Sequence, residues 1–164
     1  MKIEKNTVSI ILPTYNEKDN ILDIIKECIK YTPNLKEIIV VDDDSPDKTW
    51  EIVKNIKNEK VKLIRRVKEN GLPSAIWTGI KASQGNIVIW MDCDFSHHPQ
   101  YIPSLLQKLE KCDIAVASRY TKGGRDVRNN FQKVLSYMMN LFISIVFLSR
   151  MRDWDSGFIA IRKY

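Results

Sequence analysis

The chain has 164 residues, of which 44% are hydrophobic and 28% charged, a composition typical of a soluble globular domain with a core of ordinary size. Its three cysteines are far apart and form no C-x-x-C pair, which argues against a disulfide framework or a zinc site. The net charge of +6 favours anionic partners such as phosphates, acidic lipid or nucleic acid. An ordinary basic surface accounts for this charge equally well.

Two features bear on where the protein works. The longest apolar stretch, Met138–Leu148, has 11 residues and is interrupted by Asn140 and Ser144, so it is too short to cross a bilayer. It predicts either a buried helix or a helix lying in a membrane interface. The unpaired cysteines predict a reducing, cytoplasmic setting.

Strand-like and helix-like segments alternate along the chain. Short apolar runs predict five strands, at Val8–Leu12, Glu37–Val41, Val61–Ile64, Ile87–Met91 and Ile114–Ser118. Between them, apolar residues at helical spacing predict helices over Ile21–Ile29, Pro46–Ile56, Ala75–Ile80 and Ile102–Leu109. The alternation predicts an α/β fold, a doubly wound parallel sheet with helices on both faces.

Polar residues follow four of the predicted strands. These segments are Pro13–Glu17 after the first strand, Asp42–Asp44 after the second, Asp92–Asp94 after the fourth and Arg119 after the fifth. In open parallel sheets the carboxyl ends of the strands lie at one edge, and ligands bind there. The sequence therefore predicts a binding site at this edge.

Acidic residues are the most informative part of the predicted site. Asp92 and Asp94 stand two apart at a strand end, where hard oxygen ligands suit Mg²⁺ or Mn²⁺, although a pair of solvated loop acids is the plainer alternative. The three adjacent acids Asp42, Asp43 and Asp44 repel one another and need compensation. They could serve a second metal, hydrogen-bond a base or ribose, or in part cap a helix.

Neighbouring side chains have both a functional and a plain interpretation. Tyr15 and Glu17 could flank a nucleotide base, by stacking and by hydrogen bonding, or the segment could simply shape a turn. Arg65, Arg66 and Lys68 follow the third strand within reach of a diphosphate, but such a cluster is more often solvated charge.

Paired histidines and scattered tryptophans are expected to be structural. His97 and His98 are adjacent on a turn and should point apart, which argues against a metal centre formed by the two. Trp50, Trp77 and Trp90 are expected in the core.

Several motifs in one order resemble a known family. They are L-P-T-Y-N-E at Leu12–Glu17, V-V-D-D-D-S-P-D at Val40–Asp47, R-x-K-x-x-G-L at Arg66–Leu72, M-D-C-D-F-S-H-H-P at Met91–Pro99, S-R-Y at Ser118–Tyr120 and D-S-G-F at Asp155–Phe158. Together they resemble the dolichyl-phosphate (polyprenyl-phosphate) mannose synthases of glycosyltransferase family 2, and the similarity covers nearly the whole chain. The resemblance implies a GT-A fold with a Rossmann-like, open, twisted and mostly parallel sheet.

The resemblance also implies roles for individual residues. The nucleotide-sugar contacts it implies are Pro13, Tyr15, Glu17, Val41, Asp43, Asp92, Cys93, Asp94 and Arg119. It gives the metal to Asp92, Asp94 and Ser96, the last of these at a position where many relatives have Gln. The catalytic residues that it implies are Asp94, Arg119 and Lys133.

By the same resemblance, the chain is expected to be an inverting glycosyltransferase that uses Mg²⁺ or Mn²⁺. It would move mannose from GDP-mannose to dolichyl or polyprenyl phosphate. No catalytic base is expected, because a lipid monophosphate with a second pKa near 6 is already charged at neutral pH. Arg119, Arg125, Arg128 and Lys133 would gather this acceptor phosphate.

The expected organisation is one catalytic domain over residues 1–164, without the acceptor-side helices that follow Phe158 in the family. The expected place is the cytoplasmic face of a membrane, as a peripheral protein at the membrane surface. A membrane-anchoring subunit is a candidate partner, and nucleic acid is not expected. Two alternatives stay open. One is transfer of glucose to a polyprenyl phosphate, and the other is a non-catalytic truncated subunit.

Overall fold

The computed structural model describes residues 6–118, 136–141, 143, 153 and 156–163. Within these residues the strands are β1 Val8–Thr14, β2 Leu35–Asp42, β3 Val61–Arg65, β4 Ile87–Trp90, β5 Ile114–Val116 and β6 Ile159–Arg162. The helices are α1 Ile21–Tyr31, α2 Thr49–Lys54, α3 Leu72–Ala82 and α4 Ile102–Lys108, the last preceded by a 3₁₀ turn at Pro99–Tyr101. Residues 136–141 are also helical.

The described strands form one six-stranded sheet in the order β3-β2-β1-β4-β6-β5. β1 pairs in parallel with both β2 and β4, and β2 pairs in parallel with β3. β6 runs antiparallel to its neighbours β4 and β5. The prediction of a mostly parallel sheet is confirmed. β6 was not predicted, since a four-residue Ile-Ala-Ile-Arg run carries too little pattern to separate it from a loop.

Helices cover both faces of the sheet, as predicted. On one face, α1 buries Ile21, Ile24 and Cys28 in a core that α2 and α4 extend. On the other face, α3 packs Ala75 against side chains of β1, β2 and β4. Each central strand is therefore apolar on both sides, which explains the continuous rather than alternating apolar runs in the sequence.

Two sequence-based expectations in this region are wrong. α2 begins at Thr49 instead of Pro46, because Lys48 has a left-handed backbone (φ 64°) and Asp47 accepts a hydrogen bond from the Thr49 amide at 2.9 Å. Trp77 is 56% exposed on the outer face of α3, with the Lys81 ammonium 5.2 Å from its ring centroid. Helical spacing alone did not distinguish exposed Trp77 from buried Ala75, two residues earlier.

A buried carboxylate near the amino end of β2 ties four segments together. The Glu37 side chain is 2% exposed and accepts hydrogen bonds from Lys62 Nζ at 2.6 Å, Ser9 Oγ at 2.8 Å and the Gln84 amide at 2.6 Å. Burial raises the pKa of Glu37, but these hydrogen bonds outweigh it, so the net pKa lies below its usual value. Glu37 therefore stabilises the fold only while it is ionised.

We predict that Glu37→Gln lowers the free energy of unfolding by on the order of 1–3 kcal/mol at pH 7, because its amide NH₂ must face a hydrogen-bond donor. The wild-type contribution is complete above the unfolded pKa of about 4.3 and is lost as the pH falls through the lower folded pKa. Urea unfolding of both proteins from pH 7 to pH 3 measures this, with exposed Glu59→Gln as the control. Equal stability of Glu37→Gln and wild type across this range would contradict it.

Candidate functional site

The topology places a crevice at the carboxyl edge of the sheet. The chain leaves β1 towards β2 on one side, and β4 returns to the other side of β1, so the strand order switches at β1. Ligands of open α/β sheets bind outside the carboxyl ends at such a switch point. A pocket of about 350 Å³ lies at this edge, lined by Pro13, Thr14, Tyr15, Asp43, Asn70, Gly71, Leu72 and Ala75.

Three of the predicted nucleotide-sugar contacts line this pocket together: Pro13, Tyr15 and Asp43. Tyr15 is 59% exposed, so its side chain is accessible to a flat ligand on which the ring could stack. Val41 is fully buried in the core between the sheet and α3, below the pocket. Val41 does not line the described pocket, and its predicted contact with the nucleotide sugar stays a prediction.

Each acid of the Asp42–Asp44 segment has its own partners. Asp42 is fully buried and accepts hydrogen bonds from Thr14 Oγ1 at 2.9 Å and from Ser45 Oγ at 2.7 Å. Asp44 is half exposed and pairs with Arg65, whose guanidinium lies 3.7 Å from the Trp50 ring centroid. The repulsion expected for three neighbouring carboxylates is thus relieved separately for each one.

Asp43 lines the pocket and forms a buried ion pair with Arg66. Arg66 Nε donates to Asp43 Oδ1 at 2.6 Å, and the Gly71 amide donates to Asp43 Oδ2 at 2.8 Å. The expectation that Arg66 is solvated charge is wrong, since its side chain is 5% exposed. The signal available in the sequence was an arginine two residues beyond the third predicted strand, and this position alone does not show whether the side chain is buried or exposed.

The loop after β1 is clamped to the loop after β2. The backbone amides of Asn16 and Glu17 donate to Ser45 Oγ at 3.1 Å and to Thr49 Oγ1 at 3.0 Å, and the Lys18 amide donates to Asp47 Oδ2 at 3.0 Å. The S-P-D-x-T segment therefore acts as a set of acceptors that fixes the loop carrying Tyr15. This role was not predicted.

Glu17 is oriented towards α1. Its Oε2 accepts a hydrogen bond from Asn20 Nδ2 at 3.1 Å, and its backbone carbonyl accepts from the Ile21 amide at 2.9 Å. Glu17 does not line the described pocket. The geometry fits the turn-shaping alternative and leaves its predicted base contact as a prediction.

The segment after β4 carries the predicted metal ligands. Asp92 is half-buried, while Asp94 and Ser96 are exposed, and Asp94 Oδ1 accepts a hydrogen bond from the Ser96 amide at 2.9 Å. Cys93, between the two acids, is 1% exposed and its Sγ lies 3.8 Å from the Pro13 carbonyl oxygen. Burial raises the pKa of the Cys93 thiol well above its usual value, so the thiol stays protonated and is no nucleophile.

The two histidines hold this segment in place. The His97 ring packs edge-on against Phe158 with centroids 5.7 Å apart, and the His98 ring packs edge-on against Tyr31 at 6.1 Å. They contact different elements, as the sequence predicted. Their described contacts fit a structural role beside the site.

Gly157 contacts the Asp92 carboxylate directly. A Cβ built on Gly157 would overlap Asp92 Oδ2 and crowd Asp92 Cγ at 2.8 Å. The glycine of the D-S-G-F motif is therefore required by close approach to a predicted metal ligand. Two segments more than sixty residues apart in sequence are therefore in direct contact at this point.

The oxygen donors at this edge fit a divalent cation that is shared with a ligand. No group of three or more His, Cys, Asp and Glu side chains in the described residues could hold a metal by itself. Mg²⁺ and Mn²⁺, however, are commonly held by one or two carboxylates together with water and substrate phosphates. Asp92, Asp94 and Ser96 match that pattern. Arg119 and Lys133, predicted for catalysis, lie outside the described residues.

The sheet, the pocket at its switch point and the acids after β4 define an α/β ligand-binding domain with a polar carboxyl edge. The chain belongs to glycosyl transferase family 2, whose family profile matches residues 9–162. It is 40% identical over 162 residues to a dolichol-phosphate mannosyltransferase of Pyrococcus furiosus, covering 95% of this chain and 46% of that protein. It is 29% identical over 161 residues to an undecaprenyl-phosphate mannosyltransferase of Micrococcus luteus, covering 94% of this chain and 66% of that protein.

Solved structures share the fold. Glucosyl-3-phosphoglycerate synthase from Mycobacterium tuberculosis, in complex with Mn²⁺, uridine diphosphate and glucosyl-3-phosphoglycerate, matches with a TM-score of 0.72 at 22% identity, covering 96% of this chain and 57% of that chain. The same enzyme with Mg²⁺ and uridine diphosphate matches with a TM-score of 0.71 at 24% identity, covering 96% and 56% of the two chains. The predicted GT-A fold and the resemblance to family 2 are confirmed.

We predict that Gly157→Ala costs about 1–3 kcal/mol of stability, because the new methyl group displaces the Asp92 carboxylate. In an Asp92→Ala background the same change should cost much less, since the obstructing carboxylate is gone. Thermal unfolding of wild type, both single variants and the double variant measures this coupling. An equal cost in both backgrounds would show that Gly157 does not set the position of Asp92.

Proposed function

We propose that this chain carries the donor-binding catalytic domain of an inverting, metal-dependent glycosyltransferase. The reaction is transfer of mannose from GDP-mannose to dolichyl or another polyprenyl phosphate. The observation that carries the proposal is the convergence, in a chain of family 2, of a nucleoside-sized pocket and the Asp92–Asp94 acids at one sheet edge. The 40% identical relative, a dolichol-phosphate mannosyltransferase, supports the choice of mannose and lipid.

The pocket supports binding of a nucleoside. Both oxygens of Asp43 accept hydrogen bonds from the protein, and a carboxylate keeps further lone pairs for N–H or O–H donors of a base or ribose. Tyr15 offers an exposed ring beside it. Pro13 and Leu72 supply apolar walls, and small, mostly apolar pockets with a few fixed polar groups suit such ligands.

The acids after β4 support binding of the diphosphate. Asp92, Asp94 and Ser96 would hold Mg²⁺ or Mn²⁺, which supplies charge neutralisation to the departing diphosphate. Gly157 leaves space for the Asp92 carboxylate, and the Ser96 amide donates a hydrogen bond to Asp94. Cys93, as a buried thiol, stays neutral between them.

The acceptor supplies its own nucleophile. A lipid monophosphate is charged at neutral pH, so direct displacement at the sugar carbon needs no base from the protein and inverts the configuration. Arg119, Arg125, Arg128 and Lys133 would gather the two anions, and these residues remain predictions.

A membrane-surface location is part of the proposal. No helix in the described part of the chain is long and apolar enough to cross a membrane. The helical residues 136–141 do expose apolar side chains, namely Tyr137, Met138, Met139 and Leu141, while Asn140 is buried. Because these apolar side chains are exposed, a helix in contact with lipid explains the segment better than a helix buried in the core. We place the domain at the cytoplasmic face of a membrane.

Donor profiling tests the proposed function. Purified protein is incubated with Mn²⁺, dolichyl phosphate and radiolabelled GDP-mannose or UDP-glucose, and label is counted in the lipid phase. The proposal expects transfer from GDP-mannose and loss of transfer with EDTA. Preferential transfer from UDP-glucose would show that the transferred sugar is glucose and not mannose. Absence of transfer from any nucleotide sugar would favour a non-catalytic subunit.

We predict that Asp94→Ala lowers mannose transfer by about 100-fold or more, because it removes a carboxylate that would hold the cation, and with it the neutralisation of charge on the departing diphosphate. The variant should unfold at the wild-type temperature, since Asp94 is exposed and its described contact is local. Asp23→Ala, which removes an exposed carboxylate from the outer face of α1, is the matched control and should transfer normally. Full transfer by Asp94→Ala would count against the assignment.

A further inference from the structure

Arg66 connects three parts of the pocket without lining it. Its Nε bonds Asp43 Oδ1 at 2.6 Å, its Nη1 donates to Ser74 Oγ at 2.8 Å, and its Nη2 donates to the Gly71 carbonyl at 3.1 Å. Its backbone amide also donates to the Asp42 carbonyl at 2.8 Å. One guanidinium therefore links the end of β2, the β3–α3 loop and the first turn of α3.

The ring of contacts closes through Gly71. The Gly71 amide donates to Asp43 Oδ2 while its carbonyl accepts from Arg66, so Asp43, Arg66 and Gly71 form a cycle. Gly71 adopts φ +119°, a backbone region in which side chains are strained. This conformation places Asn70 and Leu72 on the pocket wall. The position of that wall depends on the cycle.

The neighbouring ion pair, Arg65 with Asp44, can be compared with the pair of Arg66 with Asp43. Arg65 and Asp44 also form an ion pair at the ends of β3 and β2, but their side chains are 39% and 37% exposed. The Arg66 and Asp43 side chains are 5% and 9% exposed. An exposed ion pair contributes little to stability. If Arg66 were lost, however, the buried Asp43 carboxylate would keep its charge without a partner, beside the bound ligand. The other acid near Arg66, Glu69, is 3.9 Å away and 72% exposed.

We propose that Arg66 is a positioning residue for nucleotide recognition, which rests on the proposed function. Through Asp43 and Gly71 it fixes both the hydrogen-bond acceptor and the wall that meet the base. Its planar fork bonds three groups at once, which the single ammonium of lysine cannot reproduce. Because Arg66 has no described contact with the acids after β4, its loss should weaken donor binding and leave the transfer step nearly intact.

Arg66→Lys tests this, with Arg65→Lys as the matched control. Nucleotide affinity is measured by calorimetry with GDP, UDP, ADP and CDP in Mn²⁺, and KM and kcat are measured for the sugar donor. We expect Arg66→Lys to raise Kd and donor KM about tenfold or more, as for loss of one charge-assisted hydrogen bond, with kcat within about threefold. Arg65→Lys should change either constant by less than about twofold.

The opposite pattern overturns the proposal. If folded Arg66→Lys binds nucleotide with the wild-type Kd, and only its unfolding temperature falls, Arg66 is structural and the proposal is wrong. If Arg66→Lys does not fold, Ser74→Ala decides, because it removes one Arg66 partner and leaves the ion pair. An unchanged Kd in Ser74→Ala contradicts the proposal, and a Kd raised about twofold or more supports it.

The design separates this proposal from the proposed function. Suppose that Arg66→Lys binds nucleotide more weakly than the wild type, but the wild type transfers no sugar. The role of Arg66 is then supported, and the transferase assignment is wrong. A wild type that binds none of the four nucleotides removes both.

Discussion

The parallel pairing of β1 with β2 on one side and β4 on the other is the constraint on which the site depends. Because both neighbours run in the same direction as β1, their carboxyl ends open at one edge, and the chain cannot cover the switch point with its own crossover connections. The loop carrying Tyr15, the buried acid Asp43 and the segment containing Asp92 therefore come from distant parts of the sequence and meet there. The central strands that lead to this edge are buried on both faces of the sheet.

Charge at this edge is arranged in two ways. At the end of β2, each acid is compensated by the protein itself: Asp42 by hydroxyls, Asp43 by Arg66 and Asp44 by Arg65. After β4, Asp94 is exposed and receives a hydrogen bond from a backbone amide. Of these acids, Asp43 lines the pocket, and under the proposed function it would be a preorganised acceptor for a neutral nucleoside. The second arrangement suits a cation that arrives with an anionic ligand.

Much of the fold could be predicted because apolar runs and helical spacing alternate strongly, and the acids at strand ends were located from the same pattern. The antiparallel strand β6 could not be predicted, because four residues are too few to show a periodic pattern. The start of α2 could not be predicted either, because it depends on the left-handed backbone of Lys48. Position located the Asp42–Asp44 segment, and the resemblance singled out Asp43, but the burial of Arg66 and its pairing with Asp43 were not predicted. Burial of an arginine depends on where its fork meets a carboxylate, and this is a property of the tertiary structure.

We propose that one ion and one nucleoside diphosphate occupy this edge together. A crystal structure of the protein with GDP and Mn²⁺, with anomalous diffraction data, is the most direct test. We expect an anomalous peak between the diphosphate and the carboxylates of Asp92 and Asp94, with the base in the pocket beside Asp43. A nucleotide bound away from Asp43, or a manganese ion that contacts neither Asp92 nor Asp94, would contradict it.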